Sequence, residues 1–411
     1  MTGLKAALDR RIDIHEYLVW STVLAVLMFV SLRGAFQVGY VIVLVNTLVL
    51  LVFDQLAIHR NHMLALLALA GFSLVGARLS GTPVPSVMSQ ILGIGVMSIY
   101  FFSALTSFGP SLSNWMELYM RAAFALTVLC LALWVLVTVV SGNQRLQGIY
   151  SEPSYFIYVT LPAAGYCINC YVHERRYGLE ALIFLLAYAL AESTLGFLGL
   201  FLIGLFTYAP RLKGWQMIVG AIVALGFAAG VYAASASVRV RANEMAVAIV
   251  KQDLSGTGAS AFAFLSNVYV TSQSFLAHPM TGIGIGGYAN AYDTYIHDLT
   301  GFTKLGTDTT NRYEQSLELN REDAASMFLR VTAELGLPGL IVLVGFLIVC
   351  ARVRGQPYVI MRNAILPYLI VRMARMGHYF TVELYFFVGL YLLNYLESRR
   401  NNRLITSQSS A

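Results

Sequence analysis

The chain has 411 residues, of which 58% are hydrophobic and only 12% charged, with a mean hydropathy of +0.68 and a formal net charge of +6. Soluble chains carry about twice that charged fraction, so too little polar surface remains to coat a water-soluble globule, and a disordered chain or fibrous repeat is equally excluded. The basic residues form no aromatic-interleaved stripe of the kind nucleic acid requires; they sit in short clusters between apolar blocks.

Those blocks run about 18 to 24 residues, the length a helix needs to cross a bilayer core. In chain order the predicted spans are 17–33, 37–58, 62–78, 85–107, 119–140, 154–172, 179–191, 193–209, 215–234, 325–351, 358–375 and 379–397. The seventh and eighth are short and joined by Ala191-Glu192-Ser193-Thr194, which suits a broken or re-entrant pair. The polar opening before Leu18 has no small-residue cleavage site and reads as a cytoplasmic lead-in. With the N-terminus inside, the inner loops collect Lys5, Arg10, Arg11, Arg60, Arg175, Arg176, Arg211, Lys213, Arg352, Arg354, Arg399, Arg400 and Arg403. The short outer loops hold only Arg33, Arg78, Arg145 and the Arg372/Arg375 pair, so the inside bias predicts that both termini are cytoplasmic. The expected fold is an all-α polytopic membrane protein of about twelve transmembrane helices with one large periplasmic loop. Its organisation is 1–234 for spans one to nine with a short outer loop at 141–154, 235–324 for the large outer loop or cap, and 325–411 for the last three spans and a cytoplasmic tail. Loops of that length are usually functional or disordered; the glycine turns, aromatics and short apolar stretches here suit a small folded cap with short helices.

Charged side chains near membrane depth are costly, so a cluster of them on one face marks a candidate site. The outer face gathers Arg145, Glu152, Arg239, Arg241, Asp323, Arg330, Arg372, Arg375 and His378. The planar arginine fork binds phosphate oxygens bidentately and stays charged at any reachable pH. Such a rim suits a lipid-linked diphosphate lying at the membrane boundary; the plainer reading is that the arginines snorkel to the interface. Glu152-Pro153-Ser154 stands where the chain re-enters the membrane. A carboxylate and a proline there are ordinary helix-start signals, or Glu152 is a general base for a sugar hydroxyl. His278-Pro279 opens a glycine run, Gly282-Ile283-Gly284-Ile285-Gly286-Gly287, that lacks the βαβ context of a dinucleotide loop. The run is expected to form a tight turn closing on the membrane, with His278 either capping it or serving the site. Cys167-x-x-Cys170 lies mid-span without a second pair and reads as packing. No metal-ligand spacing appears, and no cofactor is expected.

Taken in order, several segments resemble the bacterial O-antigen polymerase and ligase family of surface-polysaccharide assembly. They are Arg145-x-x-Gly148, Glu152-Pro153-Ser154 before a span, His278-Pro279-x-x-Gly282-Ile283-Gly284 in a penultimate long loop, and Glu334-x-Gly336-x-x-Gly339 opening the next span. The resemblance covers roughly residues 140 to 350, and the first four spans match only in hydropathy. It implies a GT-C-like, metal-independent glycosyltransferase with an undecaprenyl-diphosphate donor, outer-face arginines holding the diphosphate, and attack by an acceptor hydroxyl with inversion. Ligases of the family carry a His-Asn pair where this chain has Ala325-Ser326 before Phe328-Leu329. The missing histidine and the Glu-Pro-Ser signature favour a polysaccharide polymerase of the bacterial inner membrane over a ligase or a flippase of lipid-linked sugars.

On this reading the catalytic candidates are Glu152, Arg145, Asp323 and His278, with Glu152 the preferred base. The diphosphate or glycan candidates are Arg145, Arg239, Arg241, Arg330, Arg375, His378 and Tyr155. The expected partners are an undecaprenyl-diphosphate-linked oligosaccharide, membrane lipid, and a chain-length regulator and flippase of the same pathway, with no nucleic acid.

Overall fold

The computed structural model describes residues 14–29, 31–33, 36–107, 111–142, 145–208, short stretches between 226 and 247, 259–299 and 321–409. The described residues are helical apart from one short antiparallel ribbon, β1 (Ser31–Arg33) with β2 (Phe36–Gln37). The helices are α1 (Ile14–Leu27), α2 (Val38–Val52), α3 (Arg60–Ser80), α4 (Val84–Ser107), α5 (Leu112–Ser141), α6 (Pro153–Glu174), α7 (Gly178–Ala191) and α8 (Thr194–Tyr208). After them come α9 (Ala259–Ala277), α10 (Tyr288–Leu299), α11 (Met327–Cys350), α12 (Gln356–Arg375) and α13 (Val382–Ser409).

Four of these, α3, α4, α5 and α11, are long and apolar enough to cross a membrane. The chain is a helical membrane protein. Helices α1, α2, α7 and α8 have 14 or 15 residues, about 21–23 Å at 1.5 Å per residue, short of a hydrocarbon core of about 30 Å. The more polar helices lie inside the bundle: Ala364 of α12 sits against Gly165 of α6, and Asn363 Nδ2 donates to Asn169 Oδ1 across the same contact at 3.0 Å. Asn169 Oδ1 also accepts from Thr207 Oγ1 of α8 at 3.0 Å. An amide at membrane depth is tolerated because another helix satisfies it. Apolar side chains on α3 and α5, such as Leu67 and Leu136, point outward instead.

The predicted spans and the helices differ at three places. The first span was expected over 17–33, but α1 stops at Leu27 and the chain turns into the ribbon. The second was expected over 37–58, but α2 ends at Val52, and Asp54 adopts a φ of 55° beyond it, exposed rather than within a span. Most of the ninth predicted span, 215–234, lies outside the described residues; 226, 229–230 and 232–233, which are described, are helical.

Helices α6 and α12 run antiparallel. At one end the Arg372 guanidinium stands 6.0 Å from the Tyr158 ring centre; at the other, Gln356 Nε2 donates to the His173 carbonyl at 3.5 Å. The first end also collects the start of α11, where Ser326 Oγ donates to the Met373 carbonyl at 3.0 Å, and the start of α13. Helices α9 and α10 dock there as well, through the 278–288 segment between them.

That segment plugs a break in α11. At Gly336 the backbone leaves helical geometry, with φ 63° and ψ −158°, and Pro338 follows. The break frees carbonyls and an N–H that must be satisfied away from water. Ile283 N donates to the Ala333 carbonyl at 3.1 Å, Gly284 N to the Glu334 carbonyl at 2.9 Å, and Leu337 N to the Pro279 carbonyl at 2.8 Å. The other side of the segment is held by α3 and the α3–α4 turn, where Ser80 Oγ and Thr82 Oγ1 both donate to the Ile283 carbonyl, at 2.9 and 2.8 Å. The glycine run forms tight turns, as the sequence suggested, and these turns seat in the break of α11.

Candidate functional site

Two buried ion pairs organise the end of the bundle where these elements meet. Arg330, 4% exposed, and Glu334, fully buried, lie one turn apart on α11 and pair at 3.2 Å. Arg330 Nη1 also donates to the Gly377 carbonyl at 3.2 Å, and its guanidinium lies 4.4 Å from the Tyr379 ring centre. Arg372 of α12 and Glu383 of α13, both fully buried, pair at 3.1 Å. Arg372 also donates to the Met376 carbonyl at 2.9 Å and to Thr381 Oγ1 at 2.8 Å. Between the pairs runs the 376–381 turn, and each arginine holds part of its backbone.

On that turn His378 Nε2 stands 3.4 Å from Asp323 Oδ2, while Asp323 Oδ1 accepts from Ala325 N at 3.1 Å. Ala324 and Ala325 both have positive φ, 60° and 55°, a conformation that costs side-chain-bearing residues of order 1–3 kcal/mol each and clusters at functional sites. Burial pushes the His378 imidazole below its ordinary pKa; Asp323 opposes this, and Arg330 and Arg372 add to it. The imidazole is therefore neutral at neutral pH, a state able to take up a proton.

Across from the turn, the first residues of α6 bring Tyr155 and Tyr158 within electrostatic reach of Glu152 and Arg372, Tyr155 also of Asp323, and Tyr158 of Arg375. Glu152 is exposed, and its Oε2 accepts from Ser154 Oγ at 2.9 Å. Arg375, in the last turn of α12, is exposed and has no ion-pair partner among the described residues. Glu152, Tyr155, Asp323, Arg375 and His378 thus share one end of the bundle.

The remaining predicted residues are placed otherwise. Arg145 does not stand free at a rim: Nε donates to the Ala191 carbonyl at 3.2 Å and Nη2 to the Glu192 carbonyl at 2.5 Å, so it caps the C-terminus of α7, where a cation suits the unpaired carbonyls. Arg330 is committed to Glu334 and Gly377 rather than left open to a phosphate. His278 contributes its backbone, accepting from Gly282 N at 2.9 Å; among the described residues no hydrogen bond or ion pair joins its imidazole to the other candidates. Arg239 is exposed and donates to the Ala233 carbonyl at 3.1 Å, with no contact to the cluster. Arg241 lies outside the described residues.

Two residues that sequence reasoning missed organise the site. Glu383 opens the last helix among apolar neighbours, and the rule that an intramembrane carboxylate has a partner was signal enough to flag it. Glu334 was legible as part of a motif, but its contacts were not. Among the described residues no three His, Cys, Asp or Glu come together as metal ligands would; Cys167 and Cys170 are buried free thiols.

Comparison with known proteins adds no assignment: no family model matches the chain, and no curated protein matches it.

Proposed function

We propose that this protein is a polysaccharide polymerase of the bacterial inner membrane. It moves a growing glycan from undecaprenyl diphosphate onto a new lipid-linked repeat unit at the periplasmic face, with both termini cytoplasmic and without a metal. The observation that carries the reading is the placement of Arg375, a guanidinium with no carboxylate partner among the described residues, at the same end of an apolar bundle as the Asp323–His378 pair, Tyr155 and Glu152. A diphosphate anchored by a lipid tail presents its charge at such a boundary, and an uncommitted arginine is the group that stabilises it as it leaves. The acceptor hydroxyl attacks the anomeric carbon, the bond to the diphosphate oxygen breaks, and the hydroxyl proton passes to a base. Glu152 serves as an exposed carboxylate; His378, held neutral and oriented by Asp323, serves the same role at closer quarters to Arg375 in the chain. Ala325-Ser326 at the ligase position supports extension of lipid-linked chains over transfer to a lipid core.

Arg375→Ala is expected to lower chain extension by about a hundredfold, the loss typical of one preorganised charge donor, while the protein inserts normally. Arg375→Lys is expected to recover part of it, since the charge returns without the fork. Long polymer of unchanged length in cells carrying Arg375→Ala removes Arg375 from the mechanism. Polymer that is made but left unattached supports the ligase reading, and repeat units trapped on the cytoplasmic side support the flippase.

If His378 takes the proton, the acid limb of the rate profile lies below about pH 6.5, the ordinary histidine value, because activity falls only when the depressed imidazole is protonated. A profile of initial rate between pH 4 and 8 checks this (roughly the span over which histidine and carboxylate bases titrate). An acid limb above the ordinary value rules out His378 as the base.

A further inference from the structure

A single oxygen links the docked segment to the turn that carries His378. Glu334 Oε1 accepts from Gly286 N at 3.0 Å, from Tyr288 N at 3.2 Å and from Arg330 Nε at 3.2 Å. The first two donors belong to the segment after α9 and to the first residue of α10; the third belongs to the side chain that reaches the 376–381 turn. Arg330 Nη1 holds the Gly377 carbonyl, and its guanidinium face covers Tyr379. Glu334 is fully buried and Arg330 4% exposed, so both links are made by side chains held away from bulk solvent. Losing the carboxylate leaves the Gly286 and Tyr288 N–H groups without their acceptor and the buried Arg330 guanidinium without its counter-charge.

We propose that Glu334 is a positioning residue that transmits the seating of the 278–288 segment to the 376–381 turn, so that the external segment and the candidate catalytic turn hold their places together. The link spans three elements far apart in the chain: the segment before α10, the broken helix α11, and the turn between α12 and α13. When the segment lifts out of the break in α11, Arg330 loses its counter-charge and the Gly377 carbonyl loses a fixed donor. The structural coupling stands by itself; its effect on catalysis rests on the polymerase reading above.

Hydrogen exchange on the full-length protein in lipid nanodiscs tests the coupling without substrate. In Glu334→Ala, peptides covering 278–288 and 376–381 are both expected to exchange at least about tenfold faster than in the native protein. Glu334→Gln separates the two links, and carries the test if the alanine variant does not fold. Its amide oxygen still accepts from Gly286 and Tyr288 but no longer neutralises Arg330. The 278–288 peptide is therefore expected to stay within about threefold of native exchange while 376–381 speeds up about tenfold. Unchanged protection at 376–381 in both variants overturns the proposal and leaves Glu334 as a local clamp on the segment.

With lipid-linked repeat units as substrate, Glu334→Gln is expected to lower kcat about tenfold with KM within about twofold, whereas a purely structural residue changes the amount of folded protein and not kcat per folded molecule. If the exchange pattern appears but the native protein forms no polymer, the coupling holds and the polymerase reading fails. If polymer forms but 376–381 stays protected in both variants, the polymerase reading holds and the coupling fails.

Discussion

Glu383→Ala is expected to destabilise the protein by about 3–5 kcal/mol, the penalty of leaving one charge of a buried pair uncompensated. Arg372 is fully buried, and among the described residues its other partners are neutral: the Met376 carbonyl, the Thr381 hydroxyl and the Tyr158 ring. None of these balances its charge, and the guanidinium cannot deprotonate within reach of physiological pH. The side chain must then drag water into the bundle or the start of α13 must move. Thermal unfolding of purified protein, with the yield of membrane-inserted chain, measures the loss. Removing both charges as Arg372→Met/Glu383→Leu is expected to recover most of it, because apolar replacement of a whole buried pair is often neutral or better. Native-like stability in Glu383→Ala alone would mean that water already reaches the pair.

Gly282→Ala is expected to cost about 3–5 kcal/mol in the docking of the external segment, from left-handed backbone strain together with lost hydrogen bonds. Gly282 has a φ of 62°, and a methyl group there would lie 2.3 Å from both the carbon and the oxygen of the Glu334 carbonyl. Neither neighbour is the tip of a side chain that can swing away; both are backbone at the break in α11. Relief requires the segment to withdraw, which breaks the bonds from Ile283 N and Gly284 N to α11 and from Leu337 N to Pro279. Limited proteolysis is expected to cut within 278–288 in the variant and to spare the native protein. Equal resistance would show that the segment tolerates a side chain and sits more loosely than these contacts imply.

Much of the fold was legible in the sequence because lipid imposes a simple grammar: backbone must satisfy itself, so apolar runs of sufficient length become helices. Every predicted span but the ninth has a continuous helix among the described residues. The misses fall where hydropathy is blind. A window over 325–351 averages across Gly336, so an apolar block hid a broken helix, and with it the reason for the glycine run some fifty residues earlier. The first span was drawn too long because Ser31–Arg33 follows an apolar stretch, although its backbone pairs with Phe36–Gln37.

The site was legible in part. The predicted residues Asp323 and His378 stand 3.4 Å apart, and Arg375, Glu152 and Tyr155 lie at the same end of the bundle, but charge alone does not say which arginine is already taken. Arg145 looked like a rim residue because it is polar and outside; the carbonyl ends of α7 that bind it are visible only once the chain is folded. Arg330 and Arg372 looked available because their carboxylate partners lie on a helix stretch read as a motif and on a span read as apolar. What distinguishes a ligand-binding arginine from a structural one is its partner, and that is a tertiary fact.

The most direct test gives purified, lipid-reconstituted protein a polyprenyl-diphosphate-linked repeat unit in the presence of a chelator and reads the products on a gel. The expected result is a ladder of lengthening chains with release of polyprenyl diphosphate, lost in Arg375→Ala protein that folds normally. Single repeat units only, from folded native protein, or a ladder undiminished by Arg375→Ala, would contradict a polymerase that works through this end of the bundle.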